Sequence, residues 1–257
     1  MPRRLAAVVA GLVLSTATIA GCAGSGSGPS ASAVEPLKVF AAASLQSAFD
    51  ELAEKFIERN PEQPAPTIRY DGSQALATQI LDGADVDVIA FASVPSLDPL
   101  LVAGVAQDST VFASNTLQIA VAPGNPSGVE DLDDLADPAL KVVLCAEEVP
   151  CGAAANALLD AARVDVTPVS EETSVTAVAS RIANGEADAG LVYATDVQDS
   201  DGALEGMTPA NADAAVNRYP IAVAKKAPSP KSAAAFVEFV LSQEGQAILA
   251  EHGFGAP

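Results

Sequence analysis

Two serines stand where a protein can hold a small anion without a positive side chain. In Val39-Phe40-Ala41-Ala42-Ala43-Ser44-Leu45 a short apolar strand runs through small residues into a serine, and an amphipathic helix follows. Tyr70-Asp71-Gly72-Ser73, ahead of Ala75-Leu76-Ala77-Thr78-Gln79-Ile80, repeats the pattern. Ser44 stands at the place of a helix N-cap, where backbone N–H groups lack helical partners and the helix dipole favours negative charge. A cap that only closes its own helix would explain either serine from the local sequence. Two such junctions in one chain point to a receptor for a small anion.

Other reactive residues are few. Asp85 and Asp87 could pair for acid–base or metal chemistry, but beside an apolar strand they read as solvated or capping residues. A serine hydrolase needs a base, and His252 is the one histidine, with no nucleophile elbow in the chain. His252 falls near a helix C-terminus, where its charge is mildly favourable, and reads as structural. No phosphate-loop lysine motif is present. The chain is therefore not expected to be an enzyme, and no cofactor is expected.

The N-terminus reads as an address. Arg3 and Arg4 precede a mostly apolar run from Leu5 to Ile19, too short and small-sided for a convincing membrane span. Ile19-Ala20-Gly21-Cys22 resembles a lipobox, so residues 1–21 are expected to be a lipoprotein signal peptide and Cys22 to carry a lipid. The plainer reading is an ordinary signal peptide with a chance cysteine. Residues 22–35 form a Gly/Ser/Pro-rich flexible tether. The expected location is the extracytoplasmic face of the cell membrane, in a periplasm or on the outer face of the plasma membrane.

Loss of Arg3 and Arg4 leaves 11 basic against 33 acidic residues, a formal charge of −22. That excludes a nucleic-acid partner, which needs a basic face. It also repels anions at long range, so an anion site must work through local dipoles. Tryptophan is absent and aromatics are few, which argues against stacking platforms for sugars. With Cys22 lipidated, Cys145 and Cys151 remain as a pair in an oxidising compartment, where a disulfide is the natural expectation. A metal site is the rival reading, with no histidine or further cysteine nearby to complete it.

The positioning elements alternate. Strands are expected at Leu37–Ala41, Thr67–Tyr70, Val86–Ala90, Leu117–Ala122, Lys141–Leu144, Gly190–Tyr193 and Tyr219–Lys225. Helices are expected after Ser44 as far as Asn60-Pro61, over Ala75–Leu81, Leu97–Val102 and Gly152–Ala162, and through Val175, Val178 and Ile182. A short acidic helix opens at Val129–Leu132, and one long helix covers Pro230–Glu251. No internal repeat of fixed period appears. Alternating βαβ units imply an α/β fold with mostly parallel sheets and ligands at the carboxyl ends of the strands. The candidate anion loops all lie at that edge.

Laid out in order, these junctions resemble the molybdate-binding receptors of molybdate ABC importers, the ModA family. The resemblance runs from about Leu37 to Phe254. It rests on Val39 to Leu45, Gly72-Ser73 before Leu76 to Ile80, Asp87-Val88-Ile89-Ala90, Asn115-Thr116-Leu117, Val149-Pro150-Cys151-Gly152, Gly185 to Tyr193, Tyr219-Pro220-Ile221-Ala222-Val223 and Phe236 to Phe239. It implies a two-lobe clamshell like the type II periplasmic binding proteins, with helix-flanked sheets and two crossing strands. Residues 36–116 and 221–257 would form lobe I and residues 117–220 lobe II, with the anion in the cleft.

The resemblance also implies the ligands. Ser44 and Ser73 would each give a hydroxyl and a backbone N–H, Cys151 and Val175 backbone N–H groups, and Tyr193 its phenol. The ligand would be molybdate or tungstate. The partners would be a membrane permease and its cytoplasmic ATPase, with the receptor a monomer held at the membrane by its lipid. This chain departs from the family pattern at Cys151, where a small residue such as alanine is expected, and at Gln74, in place of a serine or glycine. It also lacks an arginine after Val175, so Ser174 or Thr176 are alternative donors. The remaining alternatives are a receptor for sulfate or another tetrahedral oxyanion, and a lipid-anchored adhesion or scaffold protein with a vestigial pocket.

Overall fold

The computed structural model describes residues 35–257. The expected leader over 1–21, the lipidation site Cys22 and all but the last residue of the tether lie outside the described residues. Two five-stranded sheets organise the chain. It opens with β1 (Lys38–Ala42), a 3-10 turn (Ala43–Leu45), α1 (Gln46–Arg59), β2 (Thr67–Asp71) and α2 (Ser73–Leu81). Then come β3 (Val88–Ala90), α3 (Val94–Val102) and β4 (Ala106–Asn115). Past Thr116 the chain enters the second sheet with β5 (Leu117–Val121), β6 (Val142–Cys145), α4 (Pro150–Ala162), β7 (Ser170–Glu172) and α5 (Val175–Ala183). This part ends with β8 (Ala189–Tyr193), α6 (Ala194–Gln198) and β9 (Glu205–Met207). It returns through β10 (Asn217–Ala224) and closes with α7 (Pro230–Leu241) and α8 (Gln243–Glu251).

The strand orders are β2-β1-β3-β10-β4 and β7-β6-β8-β5-β9. β1 runs parallel to β2 and β3, and β6 parallel to β7 and β8. β10 is antiparallel to β3 and β4, and β5 antiparallel to β8 and β9. Each sheet is thus parallel on one side and antiparallel on the other, because the strand that crosses from the other sheet enters against its neighbours. The expected lobe boundary at residue 220 falls inside β10, which pairs with β4 from Asn217 onward. The two sheets share one topology, with β2-β1-β3 matching β7-β6-β8, although the sequence shows no repeat.

Burial of aliphatic and aromatic faces holds these layers together. α1, α7 and α8 cover one face of the first sheet through Phe49, Phe56, Phe236 and Leu249, while α2 and α3 cover the other through Leu76, Ile80, Leu97 and Leu100. Phe56 and Phe236 meet edge to face, their centroids 5.3 Å apart. Around the second sheet Leu158, Val178, Ile182 and Leu191 form a separate core.

Several elements differ from the sequence expectation, in which β7, α6 and β9 also have no counterpart. β4 was not foreseen, because Asp108-Ser109-Thr110 is polar; the strand lies at the edge of its sheet, where polar residues are tolerated. The long C-terminal helix is broken at Ser242, which ends α7 and caps α8, its Oγ accepting from Gly245 N–H at 3.2 Å. The acidic helix opening at Val129 is instead a 3-10 turn at Asp133–Ala136.

Candidate anion-binding site

The carboxyl ends of β1 and β2 meet those of β6, β7 and β8 around one buried cavity. Ser44, Ser73, Cys151, Val175 and Tyr193 all line it, although they come from five separate junctions. Its volume is about 20 Å³, on the scale of roughly one or two water-sized spheres. The space suits one compact ligand.

Helix starts supply the donors. The first backbone N–H groups of a helix have no partner within it. The 3-10 turn before α1, α2 and α4 each begin without a side-chain cap, at Ala42, Gly72 and Val149. Here the local expectation needs correcting. Ser44 is not an N-cap but lies inside the 3-10 turn, and Ser73 is the first residue of α2 with Gly72 as its cap. Neither hydroxyl is spent on closing its helix, because a small residue upstream, Ala42 or Gly72, takes the extended cap conformation. At α5 the capping serine is Ser174, whose Oγ accepts from Ala177 N–H at 3.3 Å and lies 3.1 Å from Thr176 Oγ1. Val175 and Ser174 line the cavity, whereas Thr176 lines a neighbouring cleft.

Each cavity hydroxyl is held from behind. Ser73 Oγ accepts from Ala92 N–H at 3.1 Å. Ser44 Oγ lies 3.0 Å from Tyr219 Oη, and Tyr193 Oη accepts from Asn217 Nδ2 at 2.8 Å. Burial drives both phenols well above their ordinary range, so they keep their protons. Tyr219 and Asn217 were missed in the sequence. Tyr219 marked a strand there, and no local pattern ties it to Ser44.

Backbone contact sets the shape of the site. Cys145 at the end of β6 and Cys151 in the first turn of α4 are placed in disulfide geometry, 5.7 Å apart at Cα. Among the described residues no group of three or more potential metal ligands clusters. A Cβ at Gly152 would lie 1.8 Å from Ala146 O, so only glycine lets α4 start against this loop. Gly72 meets the other lobe in the same way: a Cβ there would lie 2.2 Å from Thr173 O. Gln74 does not line the cavity; it faces an adjacent groove, and its buried Oε1 has no hydrogen-bond partner.

Among the described residues lining the cavity there is no lysine or arginine. Asp71 lines it, with Oδ1 accepting from Gly72 N–H at 2.8 Å. Asp196 stands next to Tyr193 and accepts from its N–H at 3.0 Å. Burial pushes its carboxyl up to about 7, against the pull of that hydrogen bond. Asp87 is buried rather than solvated and ties Lys38 N–H and Ser229 N–H together, at 2.9 and 2.6 Å. Asp85 is exposed and pairs with Lys38 Nζ at 3.4 Å. His252 caps the end of α8 and contacts Glu51 Oε2 at 2.9 Å.

Residues 37–255 match the family described as bacterial extracellular solute-binding protein. The molybdate-binding protein ModA of Mycobacterium tuberculosis is 41% identical over 236 residues, covering 91% of this chain and 90% of the relative. The periplasmic molybdate-binding protein of Azotobacter vinelandii superposes with a TM-score of 0.73 at 22% identity, over 86% of this chain and 99% of that one. The sulfate-binding protein SubI of Mycobacterium tuberculosis superposes with a TM-score of 0.70 at 20% identity, over 85% and 86%. At those identities the two superpositions speak for the fold alone.

Two outcomes follow from the geometry. Gly72→Ala props the cleft open against Thr173 without touching a donor, and is expected to weaken anion binding at least roughly tenfold, about 1.4 kcal/mol. Titration calorimetry measures the loss, and an unchanged affinity would show that this contact does not set the closed spacing. Asp196 is expected to impose a pH dependence. Its folded pKa lies above its ordinary value, so the stability linked to its protonation falls as pH rises from about 4 to about 7. Above that range the ionised carboxylate repels a bound dianion. Affinity should therefore drop between about pH 6 and about pH 8, and Asp196→Asn should flatten the profile. A slope that survives the substitution assigns the effect elsewhere.

Proposed function

The chain belongs to the bacterial extracellular solute-binding proteins, in the ModA family, and we propose that it captures molybdate outside the cytoplasm for an ABC importer. The observation that carries this reading is the make-up of the cavity: hydroxyls and uncapped helix starts line it, its one carboxylate, Asp71, is turned onto Gly72 N–H, and among the described residues no lysine or arginine lines it.

A fully deprotonated tetrahedral oxyanion presents only acceptors, so a wall of donors suits it. Hydrogen phosphate keeps a proton that would need a buried acceptor, and burying it unpaired costs about 1–3 kcal/mol. Sulfate matches molybdate in charge and acceptor pattern, so only size separates the two. Tungstate nearly matches molybdate in both size and charge and is expected to bind as well. In this reading the ligands are the hydroxyls and N–H groups of Ser44 and Ser73, the N–H groups of Cys151 and Val175, and the Tyr193 phenol. A Cys145–Cys151 disulfide, formed outside the cytoplasm, fixes the Cys151 N–H at the start of α4.

Lipidation of Cys22 would keep a monomeric receptor near its permease, which a cytoplasmic ATPase drives. The anion would close the lobes, and the closed form would dock on that permease.

The test is a calorimetric titration of the mature protein with molybdate, and with sulfate and phosphate in parallel. One-to-one molybdate binding with little heat from the other two is expected. Equal binding of sulfate would keep the clamshell and the donor wall but overturn the substrate. Ser44→Ala is expected to weaken molybdate by about 1.5–3 kcal/mol, roughly 10–150-fold, the range for a hydrogen bond to a charged group. An unchanged affinity removes Ser44 from the site.

A further inference from the structure

The hydroxyls around the cavity are ordered by hydrogen bonds from behind. A hydroxyl has one proton and two acceptor lone pairs, so its partners decide which of these it turns to a ligand. Ala92 N–H can only donate, and its bond to Ser73 Oγ leaves the serine proton free. The amide of Asn217 is oriented by its surroundings. Its Nδ2 lies 2.9 Å from Ala92 O and 3.4 Å from Pro150 O, both pure acceptors, so an amide oxygen there would face two carbonyl oxygens. The same nitrogen must then donate to Tyr193 Oη, 2.8 Å away. Asn115 is fixed in the same manner: its Oδ1 accepts from Thr116 N–H at 2.9 Å, which turns Nδ2 to Thr195 Oγ1 at 2.8 Å and to Tyr219 Oη at 3.5 Å. Tyr219 Oη and Ser44 Oγ share a hydrogen bond at 3.0 Å in which either hydroxyl can donate. Ser73 and Tyr193 thus each receive a hydrogen bond from a group that can only donate, which leaves their own protons free for the ligand.

We propose that Asn217 is a positioning and specificity-determining residue: by donating to Tyr193 Oη it commits the phenol proton to the ligand and sets the site against oxyanions that carry a proton. The inference rests on the proposed function and deepens it. Asn217 lies on β10 of the first sheet and Tyr193 at the end of β8 of the second, both buried, so the bond forms across the cleft.

A double-mutant cycle on the mature protein separates this role from simple packing. Asn217→Leu removes the rear donor, and Tyr193→Phe removes the hydroxyl it acts on. Asn217→Leu is expected to weaken molybdate by up to the loss seen in Tyr193→Phe, roughly 10–150-fold, and to add little in the Tyr193→Phe background. Costs that simply add in the double variant would make Asn217 a structural residue and overturn the proposal. Asn217→Asp keeps the shape with one proton fewer: its single carboxyl O–H is taken by Ala92 O, so the same oxygen offers a lone pair to Tyr193 Oη, turning the phenol proton back and a phenol lone pair toward the ligand. It is expected to raise the ratio of phosphate to molybdate affinity at least roughly tenfold, one such hydrogen bond's worth. An unchanged ratio overturns the proposal, and this variant carries the test alone if Asn217→Leu does not fold. Absence of molybdate binding in the unsubstituted protein would overturn the function beneath it. Molybdate binding that the Asn217 variants leave intact would overturn only this inference.

Discussion

A buried anion with no cation beside it must be wrapped in hydrogen-bond donors, and most of this structure follows from that requirement. A folded backbone has surplus N–H groups in one recurrent place, the first turn of a helix. A wall of donors therefore needs several helix starts aimed at one point, and a single βα junction cannot provide it. Here junctions after β1, β2, β6, β7 and β8 converge on a cavity of about 20 Å³. Side-chain caps would consume the N–H groups, which accounts for Ala42, Gly72 and Val149 at three of these starts. The hydroxyls are subject to the same rule: Ala92 N–H, in the cavity wall, holds Ser73, and one layer further out Asn217 holds Tyr193 and Tyr219 meets Ser44.

The shared topology of the two sheets gives this convergence its geometry. In each sheet the first strand of the unit, β1 or β6, sits between the next two, so successive helices fall on opposite faces and their starts flank one carboxyl edge. Two such edges facing each other enclose a ligand that neither could hold alone. The approach is then limited by backbone rather than by side chains. Gly72 against Thr173 O fixes how near the lobes come, and Gly152 against Ala146 O fixes where α4 begins. Glycine at either place is required by contact, since neither residue has a positive φ.

The sequence made the parallel strands β1, β2, β3, β6 and β8 legible, because apolar runs and serine or glycine junctions are local signals, whereas the polar Ser170–Glu172 run hid β7. It was weakest where position in the sheet overrides local pattern. The polar Asp108-Ser109-Thr110 run hides β4, and Ser242 looks like an ordinary helix residue until Gly245 packs on Phe239 O. Ser44 and Ser73 stood out because they sit at junctions, while Cys151, Val175 and Tyr193 were implied by the family resemblance. The residues behind them did not. Tyr219 meets Ser44 across 175 positions and Asn217 meets Tyr193 across 24, so no window of sequence contains either pair. Ser44 was placed at the right junction with the wrong local role, since a serine two residues past an extended alanine reads like a cap when the 3-10 turn is not known.

The strongly acidic surface looks at odds with an anion site, and distance resolves it. At physiological ionic strength the Debye length is about 8 Å, so carboxylates spread over the surface act weakly on a buried ligand. The few acids close to the cavity are the ones that matter, and each is contained. Asp71 is turned onto Gly72 N–H, and burial raises the Asp196 carboxyl to about 7, so it is fully charged only above neutral pH. Surface charge is thus free to serve solubility outside the cytoplasm, while recognition is left to dipoles within hydrogen-bond reach. A site built this way gains nothing from long-range steering, and its discrimination rests on which atoms carry protons.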